Sequence, residues 1–142
     1  MKKMKTACCQ VTTDSNILFK EQQSSIVFHN SRNKECTKVT VDGCQITEGD
    51  RCDGLLVEND NKNEHFVELK GTDVSHALLQ LERSISQLTD TKEKHKKVFS
   101  YIICVNNSPK NTSKIAKFRK NLMQKYHATL DIRERRWTVE IR

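Results

Sequence analysis

The stretch CDGLLVENDNKNEHFVELK, residues 52–70, decides the predicted fold. Residues 52–58 and 65–70 are mainly apolar and contain Val, Leu and Phe, a composition that favours strands. The segment between them, 59–63, consists of Asn, Asp and Lys, and such a polar run is typical of a turn. The stretch therefore predicts a β-hairpin.

This hairpin is expected to bring three charged side chains to one face. With a loop over 60–63, the register places Asp53 opposite Lys70 and diagonal to Glu68. A slip of one residue would turn Asp53 to the other face, and Asp50 is then the alternative carboxylate. Charges on an inner strand are costly unless they face water or serve a function, so the three side chains predict a site.

The chemistry of these side chains indicates a metal centre. Two carboxylates a few ångströms apart repel each other unless a divalent cation lies between them. Mg²⁺ suits such a pair because it prefers oxygen ligands and keeps several waters. A neighbouring ammonium group can orient a water and stabilise charge on a phosphate oxygen. Together they predict phosphodiester hydrolysis by a metal-activated water.

Periodicity predicts the elements on either side of the hairpin. Asp14 or Ser15 is expected to cap a short helix that carries Glu21, and a strand is expected at 37–46. After the hairpin, apolar residues recur at helical spacing from Asp73 to Leu88. A strand at 97–105, a second helix from residue 111 or 112 and two strands up to 141 complete an order of αβββαβαββ. This order predicts a single α/β domain over 1–142, with a mixed central sheet flanked by helices and a flexible N-terminal segment at 1–13.

Composition narrows the class of protein. The chain has 142 residues, of which 35% are apolar, and it has no apolar run as long as a membrane span. No apolar signal core follows the lysines at the start, so a cytoplasmic protein without a membrane partner is expected. The six cysteines are therefore expected to be free thiols. Cys36, Cys44 and Cys52 recur every eight residues, which is too widely spaced for a typical zinc site.

Charge is distributed unevenly along the chain. Residues 1–91 have a net charge of −3, and residues 92–142 have a net charge of +10. This asymmetry predicts a surface that binds nucleic acid, and a solvated lysine-rich surface is the alternative. Trp137 could stack on nucleic acid, but a core position is favoured. The candidate phosphate-binding residues are Lys114, Lys117, Lys120, Lys125, Arg133, Arg135 and Arg136.

The charged positions of the hairpin resemble a known motif. Asp53, fourteen intervening residues and then Glu68-Leu69-Lys70 resemble the PD-(D/E)xK nuclease superfamily, which has the restriction-endonuclease-like fold. The resemblance implies that Asp53, Glu68 and the carbonyl of Leu69 bind Mg²⁺, with Mn²⁺ able to substitute, and that Lys70 serves the attacking water. Cys52 stands where the family often has a proline, which is not a ligand.

Two further residues correspond to features of some branches of that superfamily. Glu21 is a candidate for an additional acidic residue on the first helix, and an exposed surface glutamate is the alternative. Gln80 is a candidate for a glutamine on the helix after the lysine. The tyrosine expected four residues later is Ser84, so Gln80 could instead be a polar flank of the apolar stripe.

These patterns predict a magnesium-dependent endonuclease or exonuclease that acts on DNA. Because the chain is short, a homodimer or a larger protein partner is expected to supply specificity. Two alternatives remain open: a catalytically inactive nucleic-acid-binding module of the same fold, and an inhibitor-type protein whose lysines meet an acidic protein surface.

Overall fold

Nine strands and two helices form the structure, a computed structural model that describes residues 4–70, 74–105 and 112–142, except for the side chains of Lys70 and Thr112. The helices are α1 (Val74–Leu88) and α2 (Thr112–Tyr126). The strands are β1 (Cys9–Thr12), β2 (Asn16–Glu21), β3 (Ser24–Asn30), β4 (Cys36–Thr40), β5 (Gly54–Glu58), β6 (Glu64–Lys70), β7 (Val98–Cys104), β8 (Ala128–Glu134) and β9 (Arg136–Ile141).

Six strands form a mixed sheet in the order β1-β4-β5-β6-β7-β8. The pairs from β1 to β6 are antiparallel, and β6, β7 and β8 are parallel neighbours. Parallel neighbours need a crossover connection, and α1 and α2 lie in the two that occur here. The predicted α/β class with a mixed sheet is therefore confirmed, as is the element order from β4 to β9.

Both helices cover one face of this sheet. The stripe of α1 that includes Leu78, Leu81 and Ile85 is buried against Phe66 and Ile102, in agreement with the helical spacing of the sequence. The opposite face is covered by a second sheet of three strands, in the order β2-β3-β9. The prediction that helices flank the sheet is thus correct for one face only.

The predicted first helix is wrong. Residues 16–21 form β2, which pairs with β3 in an antiparallel hairpin. Ile17 and Phe19 are buried and Leu18 is exposed, so the apolar side chains follow the two-residue period of a strand. The turn after Glu21 passes through Gln22 at a φ of 50°. Burial of alternate side chains against the main sheet outweighs the capping signal at Asp14 and Ser15.

The strands β8 and β9 are consecutive in the chain but belong to different sheets. β8 is an edge of the six-stranded sheet, and β9 pairs in parallel with β3 of the small sheet. The crossing occurs at Arg135, which has a φ of 59° and whose N–H donates to the Cys104 carbonyl at 2.7 Å.

Two predictions about the N-terminal part need correction. Residues 6–12, within the segment predicted to be flexible, form a 3₁₀ turn and β1, and β1 pairs with β4. Cys8 forms a disulfide with Cys44, whereas Cys9, Cys36, Cys52 and Cys104 are free.

Within the described ranges, neither helix combines the length and apolar composition that a bilayer crossing requires.

Candidate active site

The register of β5 and β6 brings Asp53 beside Glu68. Gly54 pairs with Val67, and the Asp53 N–H donates to the Val67 carbonyl at 3.0 Å. Asp53 therefore lies opposite Glu68, and the predicted pairing with Lys70 is wrong by two residues. The loop begins at residue 59 because the Glu58 N–H bonds the Asn63 carbonyl at 2.9 Å. A shift of two residues leaves every side chain on the same face of the sheet. Asp53 and Glu68 therefore share one face, as predicted.

Gly54 permits β2 to approach this end of the main sheet. A Cβ atom at Gly54 would lie 2.4 Å from Cε2 of Phe19, which is closer than any stable contact. The missing side chain lets the Phe19 ring pack directly over the start of β5. Glu21, two residues beyond Phe19 and of the same strand parity, is thereby directed toward Asp53.

Three carboxyl groups meet at this position. The carboxyl groups of Glu21 and Glu68 both interact with that of Asp53. Glu68 is buried and 2% exposed, Asp53 is half-buried, and Glu21 is exposed at the end of β2. Glu21 is thus in the predicted cluster, although a strand and not a helix carries it.

Burial and charge crowding change the acidity of Asp53. Burial, which is the largest cause, and the neighbouring Glu21 carboxyl together raise the pKa of Asp53 to about 7, while the Leu69 N–H and the Glu68 side chain oppose the rise. The Leu69 N–H donates to Asp53 Oδ2 at 2.6 Å. A carboxyl with this pKa titrates near neutrality and is partly protonated unless a cation compensates its charge.

Leu69 and Lys70 have different positions in this arrangement. The side chain of Leu69 is buried on the face covered by the small sheet, and its backbone contacts Asp53. Lys70 is the last residue of β6, and its backbone pairs with Cys104. The Lys70 side chain lies outside the described part of the structure, so its predicted role stays a prediction.

Ser84 makes a buried contact with the backbone next to Asp53 that the sequence did not predict. Its buried Oγ accepts a hydrogen bond from the N–H of Cys52, immediately before Asp53, at 2.7 Å. Ser84 thereby attaches α1 to the start of β5. A small polar residue inside the apolar stripe of α1 is the only sequence signal for this contact.

Gln80 lies one helical turn nearer to the start of α1 than Ser84. The residue is half-buried, and its Oε1 atom is buried without a hydrogen-bond partner among the described residues. Both readings of Gln80, as a site residue and as a flank of the apolar stripe, are compatible with this position.

The predicted phosphate-binding residues lie on two layers of the molecule. Lys114, Lys117, Lys120 and Lys125 are exposed on α2, in the helical layer. The Arg133 guanidinium stacks 4.0 Å from the Trp137 ring centroid and pairs with Asp131 at 3.1 Å. Trp137 is half-buried and packs against the core between the sheets, so it lies at the margin of the core that the sequence favoured for it. Arg135 and Arg136 lie at the crossing between β8 and β9.

The donor set at the carboxyl cluster consists of oxygen atoms. Among the described residues, no group of three or more His, Cys, Asp or Glu side chains has an arrangement that could hold a metal ion. The metal-ligand set implied by the resemblance contains only two side chains, the carboxylates of Asp53 and Glu68. Its third ligand is the backbone carbonyl of Leu69. Asp53 and Glu68 lie side by side, and oxygen-only donors fit Mg²⁺.

Comparison with protein-family models finds no match, and comparisons with curated proteins and with solved structures find none either.

Proposed function

We propose that this protein is a metal-dependent nuclease of the PD-(D/E)xK type, with a restriction-endonuclease-like fold and DNA as its substrate. The observation that carries the proposal is the meeting of Glu21, Asp53 and Glu68 beside the last residues of β6. Burial of the Asp53 carboxyl raises its pKa, the nearby Glu21 carboxyl adds to the rise, and this rise costs folding free energy at neutral pH. Such a cost is typical of a site that serves a ligand, and a divalent cation would offset it.

Each residue has a distinct role in this proposal. Asp53, Glu68 and the Leu69 carbonyl would hold Mg²⁺, which when bound lowers the pKa of a water and neutralises charge on the phosphate. Glu21 is the exposed carboxylate, so its oxygens are accessible to take a proton from the attacking water. Lys70 would orient that water and stabilise the leaving charge with its ammonium group.

A cleavage assay tests this proposal. Purified protein is incubated with labelled duplex and single-stranded DNA and RNA in Mg²⁺, Mn²⁺ or chelator. We expect cleavage only with metal, and a loss of about a hundredfold or more in Asp53→Asn, Glu68→Gln and Lys70→Met. Glu48→Gln is the matched control, since Glu48 is an exposed carboxylate outside the cluster.

Two results would contradict the proposal. Undiminished cleavage by both Asp53→Asn and Glu68→Gln would show that these residues do not form the metal site of the enzyme. Tight binding without cleavage under every metal condition would identify the inactive binding module instead. The homodimer or larger partner stays a prediction that light scattering of the active sample tests.

A further inference from the structure

A groove of about 610 Å³ lies on the solvent-facing side of the small sheet. Ile17 and Phe19 of β2 face the main sheet, so Leu18 and Lys20 face outward. Leu18 and Val27 form an apolar floor, and the groove extends to the turn Gln22–Gln23 and to the crossing between the sheets.

The rim of the groove is strongly positive. Lys20, Arg135 and Arg136 line it, and none of the described residues that line it is acidic. Among the described residues, Lys20 and Arg136 form no ion pair, and Arg135 has a single exposed one, 3.8 Å from Glu134. A concave surface with three cations and two amide side chains is complementary to an anion that has several oxygens.

The groove adjoins the carboxyl cluster. Gln22 and Gln23 directly follow Glu21, whose carboxyl interacts with Asp53. The groove and the cluster therefore lie on either side of one hairpin turn.

The lining also indicates how a ligand would be recognised. No aromatic ring is among the described residues that line the groove, so it offers no platform on which bases could stack. Cations and amides bind phosphate oxygens, and the apolar floor can contact sugars. We infer that this groove binds the sugar–phosphate backbone of a nucleic acid, without sequence preference, next to the proposed nuclease site. The inference rests on the proposed function.

Binding without metal tests this groove separately from catalysis. The double variant Lys20→Gln/Arg136→Gln is compared with Lys92→Gln/Lys94→Gln, which removes the same charge from exposed positions between α1 and β7. Fluorescence anisotropy with a short labelled DNA duplex in chelator gives the affinity and its salt dependence. For the groove variant we expect about a tenfold weaker affinity and a log–log salt slope shallower by about 2.

The Lys92→Gln/Lys94→Gln variant is expected to bind within about twofold of the wild type, and a scrambled duplex is expected to give the same values. Equal losses in both double variants, or binding by the groove variant that matches the wild type, would overturn the inference. So would the absence of wild-type binding. All four substituted side chains are exposed, and thermal unfolding verifies that the variants are folded.

The two proposals fail in different ways. If the groove variant loses affinity but the wild type cuts nothing in Mg²⁺, the groove is real and the nuclease proposal fails. If the wild type cuts DNA and the groove variant binds and cuts equally well, the nuclease proposal stands and the groove inference fails.

Discussion

The backbone N–H of Leu69 donates a hydrogen bond to Oδ2 of Asp53 at 2.6 Å. Leu69, which directly follows Glu68, thus fixes the position of the Asp53 carboxyl group, and Asp53 lies opposite Glu68 in the sheet. Because a backbone donor sets this position, the carboxyl of Asp53 is held in place before any cation binds. This arrangement brings acidic side chains close together around a carboxyl group that the main chain holds in position.

Asp53→Asn is expected to stabilise the protein at alkaline pH. The pKa of Asp53 is raised to about 7 in the folded state from an ordinary value of 3.8. Folding stability therefore falls as pH rises from about 4 to 7, and the cost is complete above that range. Asparagine keeps an acceptor for the Leu69 N–H without this charge.

Urea unfolding in chelator measures the effect. At pH 8 we expect the free energy of unfolding of Asp53→Asn to exceed that of the wild type by about 1–2 kcal/mol, a value reduced because Asp53 is partly exposed. Near pH 4 we expect the two free energies to be equal. Glu48→Gln serves as the control. Equal stability of wild type and Asp53→Asn at pH 8 would contradict the assignment.

Divalent cations are expected to raise the melting temperature of the wild type. A ligand present at a hundred times its Kd stabilises the folded state by about 2.7 kcal/mol. Asp53→Asn and Glu68→Gln should lose this stabilisation, because each removes a negative oxygen ligand. A Mg²⁺ titration at constant ionic strength, followed by thermal unfolding, is the measurement. An undiminished shift in both variants would place the cation elsewhere.

Glu58 is expected to make the protein acid-sensitive. This buried carboxylate lies 2.6 Å from Nε2 of His65 and 2.8 Å from Nζ of Lys34. Burial alone would raise the pKa of Glu58, but hydrogen bonds with His65 and Lys34 lower it to about 2. Its contribution to stability is complete above pH 4.5 and is lost as pH falls toward 2.

Glu58→Gln is expected to cost about 3 kcal/mol at pH 7 and much less at pH 2, because it removes the buried carboxylate that is hydrogen-bonded to His65 and ion-paired with Lys34. Unfolding curves across this pH range give the difference. Glu140→Gln breaks an exposed contact with His29 and should cost less than about 1 kcal/mol. A pH-independent cost for Glu58→Gln would show that charge is not the cause.

Reduction of the disulfide between Cys8 and Cys44 is expected to destabilise the fold. The bond joins residues 36 positions apart, and the entropy of a loop of that length corresponds to about 3–4 kcal/mol. Urea unfolding with and without reductant should show this difference in the wild type and none in Cys8→Ala/Cys44→Ala. Cys36→Ala is the control, because it removes a free cysteine and should still lose stability when reductant is added. A wild type that does not respond to reductant would argue against the bond.

The sequence predicts five of the six strands of the main sheet, all except β1, because local periods and burial agree in those five. The stripe of α1 and the alternation of β5 and β6 each persist over several residues, and their bounds were close to the observed ones. The predicted register of β5 and β6 is wrong because the observed pairing depends on one backbone hydrogen bond between Glu58 and Asn63. The side-chain period of two still grouped Asp53 with Glu68.

The features that the sequence did not predict depend on distant partners. β2 is stabilised by β3 and by the main sheet, so its own capping and apolar signals could not identify it as a strand. Cys8 and Cys44 are far apart in the chain, and their spacing resembles no disulfide framework. The contact of Ser84 with the Cys52 backbone likewise becomes visible only in three dimensions.

The parallel pairing of β3 with β9 has a consequence for biosynthesis. Ser25 pairs with Arg136, so the hairpin that carries Glu21 gains its outer neighbour only after about 110 further residues have been translated. Long-range pairing of this kind forms late, after the entropy of closing a large loop has been overcome. A nascent chain that ends before residue 136 lacks β9, and we expect its hairpin to hold Glu21 less firmly against Asp53 while the ribosome is still elongating it.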